Sequence, residues 1–267
     1  MQNELNIVGI QADLVWENPE RNIEFFENKI QNLPKETDLV VLPEMFTTGF
    51  TMQPKKVAEF MDGPSILWMQ KMASENEIAI TGSLVIKEPI DGAQNNNRFY
   101  NRLVFVHPSG KIETYDKRHS FTLAGEDKVY TSGSQKLIVT YKGWKICPLI
   151  CYDLRFPVWA RNAENYDLLI YMANWPVTRI KAWDTLLKAR AIENMSYVIG
   201  LNRTGKDANA YQYSGNSLIV DFLGDELSTL DPNEVGLIKG KIKKTNQNKT
   251  REKLGFLNDR DSFAIVD

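Results

Sequence analysis

The sequence is poor in the two residues that most often announce a metal or redox site. It has only two cysteines, Cys147 and Cys151, and two histidines, His107 and His119, in 267 residues. No Cys/His cluster has the spacing of a zinc site, so neither a metal nor any other cofactor is implied. The cysteines stand four apart at the end of an apolar run, which does not suit a structural disulfide, and so low a count suits a reducing cytoplasm. No stretch approaches the roughly 18 consecutive apolar residues of a membrane span. The opening residues MQNEL lack the basic and apolar regions of a secretion signal, so a cytoplasmic, membrane-free protein is expected. Charge of one sign is missing too: 32 Lys and Arg face 34 Asp and Glu. The nearest thing to a basic run, Lys239–Lys253, is interrupted by Gly, Thr, Asn and Gln and reads as a solvated strand and tail, so no nucleic-acid partner is expected.

What is present is an ordinary globular mixture, 43% hydrophobic and 25% charged, with no low-complexity linker or fixed-period repeat. A chain of this length buries a substantial core without staples, and one domain over residues 1–267 is expected. Short apolar, β-branched runs at 5–11, 38–43, 77–86, 144–150, 167–172, 196–201, 215–221 and 234–242 read as strands. Residues 99–106 and 111–115 read as a hairpin around Pro108-Ser109-Gly110. A helix follows Asn18, a good cap, with Pro19 at its first position and Ile23, Phe26 and Ile30 on one face. Further helices are expected near 64–75, 154–165 and 179–194. Strands alternating with helices imply an α/β fold, and the hairpin and strand-rich C-terminal third imply mixed sheets.

Three residues have positions that suit chemistry. Cys151 follows a strand and precedes an expected helix, where amide N–H groups favour a thiolate or an oxyanion. A buried, inert cysteine is the competing reading, and it is the one that fits Cys147, inside the strand. Glu44 follows the apolar strand VVLP, at the carboxyl end where open α/β sheets gather ligands. Lys117 follows another strand-like run. Taken singly, Glu44 and Lys117 read more readily as solvated side chains. A Cys151–His119 thiol-transferase dyad is a further possibility, and so is a binding module without catalysis.

Taken together, LPEMF around Glu44, YDKRHSF around Lys117 and CYDLRFP from Cys151 to Pro157 resemble the nitrilase, or carbon–nitrogen hydrolase, superfamily, over nearly the whole chain. The resemblance implies a four-layer αββα sandwich and a Glu44–Lys117–Cys151 triad. Glu44 would act as general base and Lys117, with the backbone N–H of Tyr152, as oxyanion donor. It implies a supporting role for Glu126, which otherwise reads as a loop carboxylate. It also implies assembly into a dimer or higher homo-oligomer. The segment 236–267, with apolar Leu254, Phe256, Leu257, Phe263 and Ile265, is expected as a C-terminal tail at the interface.

Within the superfamily, Cys151–Pro157, Ala173–Pro176, Trp183–Asn194 and Asn202–Gly205 are most similar to omega-amidases, which hydrolyse 2-oxoglutaramate to 2-oxoglutarate and ammonia. Nitrilases proper carry Cys-Trp-Glu where this chain has Cys151-Tyr152-Asp153. Another amidase or an N-carbamoyl amino acid hydrolase is the alternative. A substrate with a carboxylate needs a fixed cation. Arg155, about one helical turn beyond Cys151, is the candidate, against a structural pairing with Asp153. Phe46, Phe121 and Trp175 are expected as apolar walls, with core packing as the alternative.

Overall fold

A computed structural model describes residues 2–90 and 96–265; Met1, residues 91–95 and the last two residues of the expected tail lie outside the described residues. In chain order the strands are β1 (Glu4–Gln11), β2 (Leu39–Val41), β3 (Ala79–Pro89), β4 (Asn97–Val106), β5 (Ile112–Asp116), β6 (Val139–Tyr141), β7 (Trp144–Ile150), β8 (Leu168–Ala173), β9 (Tyr197–Asn202), β10 (Thr204–Lys206), β11 (Gln212–Ser214), β12 (Leu218–Val220), β13 (Glu226–Thr229) and β14 (Gly236–Lys243). The α-helices are α1 (Pro19–Gln31), α2 (Pro54–Val57), α3 (Pro64–Glu75), α4 (Pro157–Ala160), α5 (Ile180–Asn194) and α6 (Lys244–Leu254).

Two six-stranded mixed sheets result, ordered β14-β1-β2-β3-β4-β5 and β13-β12-β9-β8-β7-β6, with β10 and β11 as a separate hairpin. Side-chain alternation explains why the sheets stack. Leu39 and Val41 of β2, with Leu103 and Phe105 of β4, point into the core shared with the second sheet. Val40, Val104 and Val106 point the other way, onto Phe26 of α1 and Met69 and Met72 of α3. Strands buried on both faces read as continuous apolar runs. On the far side of the second sheet, α5 lays Trp183, Leu187 and Ala191 against it. The order helix, sheet, sheet, helix is the expected αββα sandwich.

The approach of α5 depends on Gly200 in β9, where a Cβ would lie 2.3 Å from a methyl of Leu187. The cap expected at Asn18 is present: its Oδ1 accepts from the Arg21 N–H at 3.1 Å.

Two expectations are corrected. No helix fills 154–165: a 3₁₀ turn over Cys151–Arg155 breaks at Phe156 and the four-residue α4 comes next. Pro157 is the reason, because the residue before a proline is driven out of the α region, and Phe156 has ψ 89°. Nor is 236–243 a tail. It is β14, paired antiparallel with β1 along its length, with Ile238 and Ile242 in the core. Only the residues after Lys243 project from the sheets, beginning with α6. That helix is docked by polar contacts: Arg251 and Lys244 reach Asp167, and Gln247 donates to the Asp167 carbonyl.

Candidate functional site

Glu44 lies just beyond β2, and its exposure is 0%. The next residue, Met45, takes a left-handed φ of 44°, with its N–H donating to Ser83 Oγ. This sharp turn aims Glu44 at the carboxyl ends of the strands of both sheets. Its Oε1 accepts from Lys117 Nζ at 3.0 Å and from Asn101 Nδ2 at 2.8 Å; its Oε2 accepts from the Asn174 N–H at 2.9 Å.

Lys117 follows β5, and its N–H donates to the Asn101 carbonyl. Gly133 passes so close beneath that a Cβ there would meet the Asp116 carbonyl oxygen at 2.2 Å, and the Gly133 N–H donates to the Lys117 carbonyl. Only glycine fits that approach. Besides Glu44, the Lys117 ammonium donates to both Glu126 oxygens, at 3.0 and 2.9 Å. Asn101 Nδ2 also reaches Glu126 at 3.3 Å, so it bridges the two carboxylates. Burial alone would lower the Lys117 pKa, but Glu126 and then Glu44 more than offset it, and the group is held charged. Burial, with Glu44 nearby, pushes Glu126 up even against the pull of Lys117.

Cys151 directly follows β7 with a left-handed φ of 43°, a conformation that costs a non-glycine residue about 1–2 kcal/mol. The turn is pinned by Asp153, whose carboxylate accepts from the Ile150 N–H at 3.0 Å, Tyr115 Oη at 2.7 Å, and the His119 N–H and Nδ1 at 3.1 and 2.8 Å. The thiol lies against Glu44. Burial pushes its pKa well up, Glu44 and Glu126 push further, and Lys117 offsets part. The structure thus brings Glu44, Lys117, Glu126 and Cys151 together. His119 is turned to Asp153 and stacked on Phe156 at 3.7 Å, which removes the geometry a Cys151–His119 dyad needs.

The thiol opens onto a cavity of about 440 Å³ lined by Phe50, Phe121, Tyr152, Arg155, Trp175 and Arg179 among others, within the size range of small-molecule sites. Phe121 and Trp175 line this cavity. Phe46 does not. It is fully buried between the first sheet and its helices, edge-on to Phe26 at 5.5 Å. The left-handed turn at Met45 sends it to the far face of the sheet, and Phe50, 5.2 Å from Lys117 Nζ, lines the cavity instead. Arg155 lines the cavity with its guanidinium over the Trp175 ring at 5.1 Å, while the Asp153 carboxylate is taken up by Tyr115, His119 and Ile150.

Sequence reasoning does not single out Asn101, Asn174 or Arg179, and it names Asp153 only as a partner for Arg155. Asp153 and Asn174 lie inside the motifs CYDLRFP and ANWP, which is a usable signal; Asn101 has none. Among the described residues, no group of three or more His, Cys, Asp or Glu side chains is placed to hold a metal ion, and no helix is long and apolar enough to cross a membrane.

A stacked pair of mixed sheets, with Glu44, Lys117 and Cys151 just beyond strand ends and Glu126 brought beside them on the 3₁₀ turn Glu126–Lys128, defines a class, and the chain belongs to the carbon–nitrogen hydrolase family, whose model matches residues 7–251. It is a hydrolase of carbon–nitrogen bonds other than peptide bonds. Among its relatives, omega-amidase YafV of Yersinia enterocolitica is 40% identical over 262 residues, 98% of this chain and 99% of that one. The 2-oxoglutaramate amidase of Bacillus subtilis (strain 168) is 32% identical over 255 residues, 94% of this chain and 95% of that one. Among solved structures, XC1258 from Xanthomonas campestris, a CN-hydrolase superfamily protein with an arsenic adduct in its active site, superposes with TM-score 0.93 at 36% identity. That match covers 99% of this chain and 100% of the other.

Proposed function

We propose that the protein is an omega-amidase that hydrolyses 2-oxoglutaramate to 2-oxoglutarate and ammonia through a Cys151 thioester. One observation carries the reading: a thiol set against a buried Glu44–Lys117–Glu126 cluster faces a cavity with a guanidinium, Arg155, in its wall. The similarity to omega-amidases supports the choice of substrate.

An unperturbed thiol is only roughly 3% ionised at pH 7, and here burial and two carboxylates suppress the thiolate further. The proton must therefore leave as Sγ attacks. Glu44 takes it while Sγ bonds to the amide carbon. The carbonyl oxygen becomes an oxyanion held by Lys117 Nζ and the Tyr152 N–H, each such donor being worth roughly 3–4 kcal/mol. Glu44 returns the proton to the nitrogen as the C–N bond breaks and ammonia leaves. Water, deprotonated by Glu44, then attacks the thioester; Glu44 returns that proton to Sγ as the C–S bond breaks, which restores the thiol, and the acid departs. Glu126 and Asn101 keep Lys117 and Glu44 aligned throughout.

Ammonia release measured across 2-oxoglutaramate, glutamine, asparagine, simple nitriles and carbamoyl amino acids tests this reading. 2-Oxoglutaramate is expected to lead. Preference for a carbamoyl amino acid would replace the reading with the carbamoyl hydrolase alternative.

Arg155 anchors the substrate carboxylate. A charged hydrogen-bond partner is worth roughly 1.5–3 kcal/mol, so Arg155→Met is expected to lower 2-oxoglutaramate turnover by about one to two decades. A neutral amide of similar length should change much less. Proportional loss on both would make Arg155 structural.

The protein is further proposed to act in the cytoplasm as at least a dimer. Two free thiols four residues apart support the reducing compartment. Leu254, Phe256, Phe263 and Ile265 are exposed beyond β14, and they support an interface on that side. Sedimentation at micromolar concentration is expected to give a dimer or larger; monomer alone would count against assembly.

A further inference from the structure

The six buried asparagines among the described residues divide by the fate of the side-chain oxygen. In Asn22, Asn162, Asn194 and Asn202 it accepts a backbone N–H at 2.8 Å. In Asn101 and Asn174 it has no donor among the described residues, and both of these flank Glu44. Of the two, Asn174 lines the cavity. A buried acceptor left without a donor costs about 1–3 kcal/mol, so a site that keeps one has a use for it.

Asn174 directly follows β8, and its side chain is held in one orientation. Its N–H donates to Glu44 Oε2 at 2.9 Å, and its Nδ2 donates to the Glu44 carbonyl at 2.7 Å. A carbonyl only accepts, so the end of the amide that faces it is the NH2 group, and Oδ1 is the end left over. Nδ2 is also 3.4 Å from Glu44 Oε2. The two ends of one amide are about 2.3 Å apart, which keeps Oδ1 within about 6 Å of Oε2. Two hydrogen bonds of about 2.9 Å, made through one nitrogen or one water, span such a gap. Oε2 is also the carboxylate oxygen with capacity to spare, because Oε1 already holds Lys117 Nζ and Asn101 Nδ2.

Resting on the Cys151 thioester reading, we propose that Asn174 is a further catalytic residue, whose Oδ1 accepts one hydrogen from the atom that exchanges protons with Glu44 Oε2 in both halves of the reaction. In the first half that atom is the amide nitrogen. Oε2 delivers the thiol proton to it while Oδ1 holds one of its N–H groups; the C–N bond breaks and ammonia leaves. Water takes the vacated place. It directs one O–H to Oε2 and the other to Oδ1, which aims its lone pair at the thioester carbon. Oε2 takes the first proton as the C–O bond forms and gives it to Sγ as the C–S bond breaks. Asn174 thus orients the leaving nitrogen and the attacking water in turn, and is itself unchanged.

The test follows acylation and deacylation of Cys151 separately. It uses the amide from which the parent releases ammonia fastest and the methyl ester of the same acid. An ester oxygen receives one proton from Glu44 and has no second hydrogen for Asn174, yet it leaves the same thioester behind. Asn174→Ala is expected to slow acylation by the amide about 5- to 20-fold. Acylation by the ester should be nearly unchanged and so report a folded enzyme. Deacylation, common to both substrates, should slow by a similar factor to amide acylation, and mass spectrometry should find the thioester accumulating on the variant during ester turnover. Loss of the Nδ2 bond to the Glu44 carbonyl would, by contrast, misplace the base and slow both acylations alike. Equal losses on amide and ester, no loss on either, or unchanged deacylation would therefore overturn the assignment. A parent enzyme that forms no thioester with either substrate would overturn the mechanism itself, and this inference with it.

Discussion

Cys151→Ala is expected to reduce amide hydrolysis by about four orders of magnitude or more, the usual scale for losing a covalent nucleophile. The reason is that no other group in the cavity can replace Sγ: Lys117 is held charged by its two carboxylates, and His119 is committed to Asp153. Stability should hardly change, because alanine meets the same left-handed backbone as cysteine and the side chain faces the cavity. Cys147→Ala is the contrasting variant. Cys147 is fully buried in the core between β7 and its neighbours, so its loss should act on packing and leave turnover largely intact. Mass spectrometry after brief mixing with substrate should find an acyl adduct on the parent and none on Cys151→Ala. An active Cys151→Ala enzyme would sink the thioester mechanism.

Lys117→Met is expected to damage activity and stability together. Glu44 and Glu126 are both 0% exposed. Removing their shared cation leaves two buried carboxylates facing each other, and breaking a buried ion cluster in this way costs about 3–5 kcal/mol. The pH dependence has a defined sign. In the parent the Lys117 pKa is raised above its unfolded value, so its contribution is fully present below the ordinary lysine range and is lost only as pH rises through the folded value. The deficit of the variant should therefore be steady from pH 7 to about 9. It should narrow on acidification, since burial already favours the protonated form of Glu126 and the loss of Lys117 favours it more. The thiol supplies an independent readout. Lys117 is the group that offsets the upward push on Cys151, so without it alkylation of Cys151 should require higher pH. Urea melts superimposable on the parent's, or an alkylation profile moved to lower pH, would contradict this account. In the Lys117→Met, Glu126→Gln pair, stability should partly return while activity does not, because one buried charge has gone but the oxyanion donor is still missing.

The parts of this fold that the sequence makes legible are those buried on a repeating period. β2 and the Leu103–Val106 end of β4 are apolar on both faces because one face meets the other sheet and the other meets α1 and α3. α1 and α3 begin with proline at the first turn, a local stop-and-start signal. Where burial is irregular, the pattern goes silent. β10, β11 and β13 are three or four residues long; the first two mix buried with exposed positions and β13 has no buried residue. α6 carries no apolar stripe because side-chain amides and guanidiniums dock it on Asp167 and on backbone carbonyls. The site divides in the same way. Glu44, Lys117 and Cys151 each follow a strand, a position that reads from local sequence. Their alignment rests on partners far along the chain: Asn174 reaches Glu44 across 130 residues, and Asn101 reaches it across 57. No short-range pattern encodes such pairs. Phe46 directly follows the left-handed Met45, whereas Phe50 follows a second left-handed residue, Gly49 at φ 72°, so the faces they reach are set by those two backbone turns rather than by either phenylalanine.

The Asp153 carboxylate has a consequence for motion. It receives bonds from the Cys151 turn at the end of the second sheet and from Tyr115 and His119 at the end of the first. The segment that carries the thiol and the segment that carries the ammonium are thereby fastened to one point. Neither can fray alone without leaving a buried carboxylate short of donors. Local opening of this corner is therefore coupled to separation of the sheets themselves, and native-state hydrogen exchange is expected to find the amide protons of Ile150 and His119 among the slowest of the molecule although they sit at strand ends, where exchange is ordinarily fast.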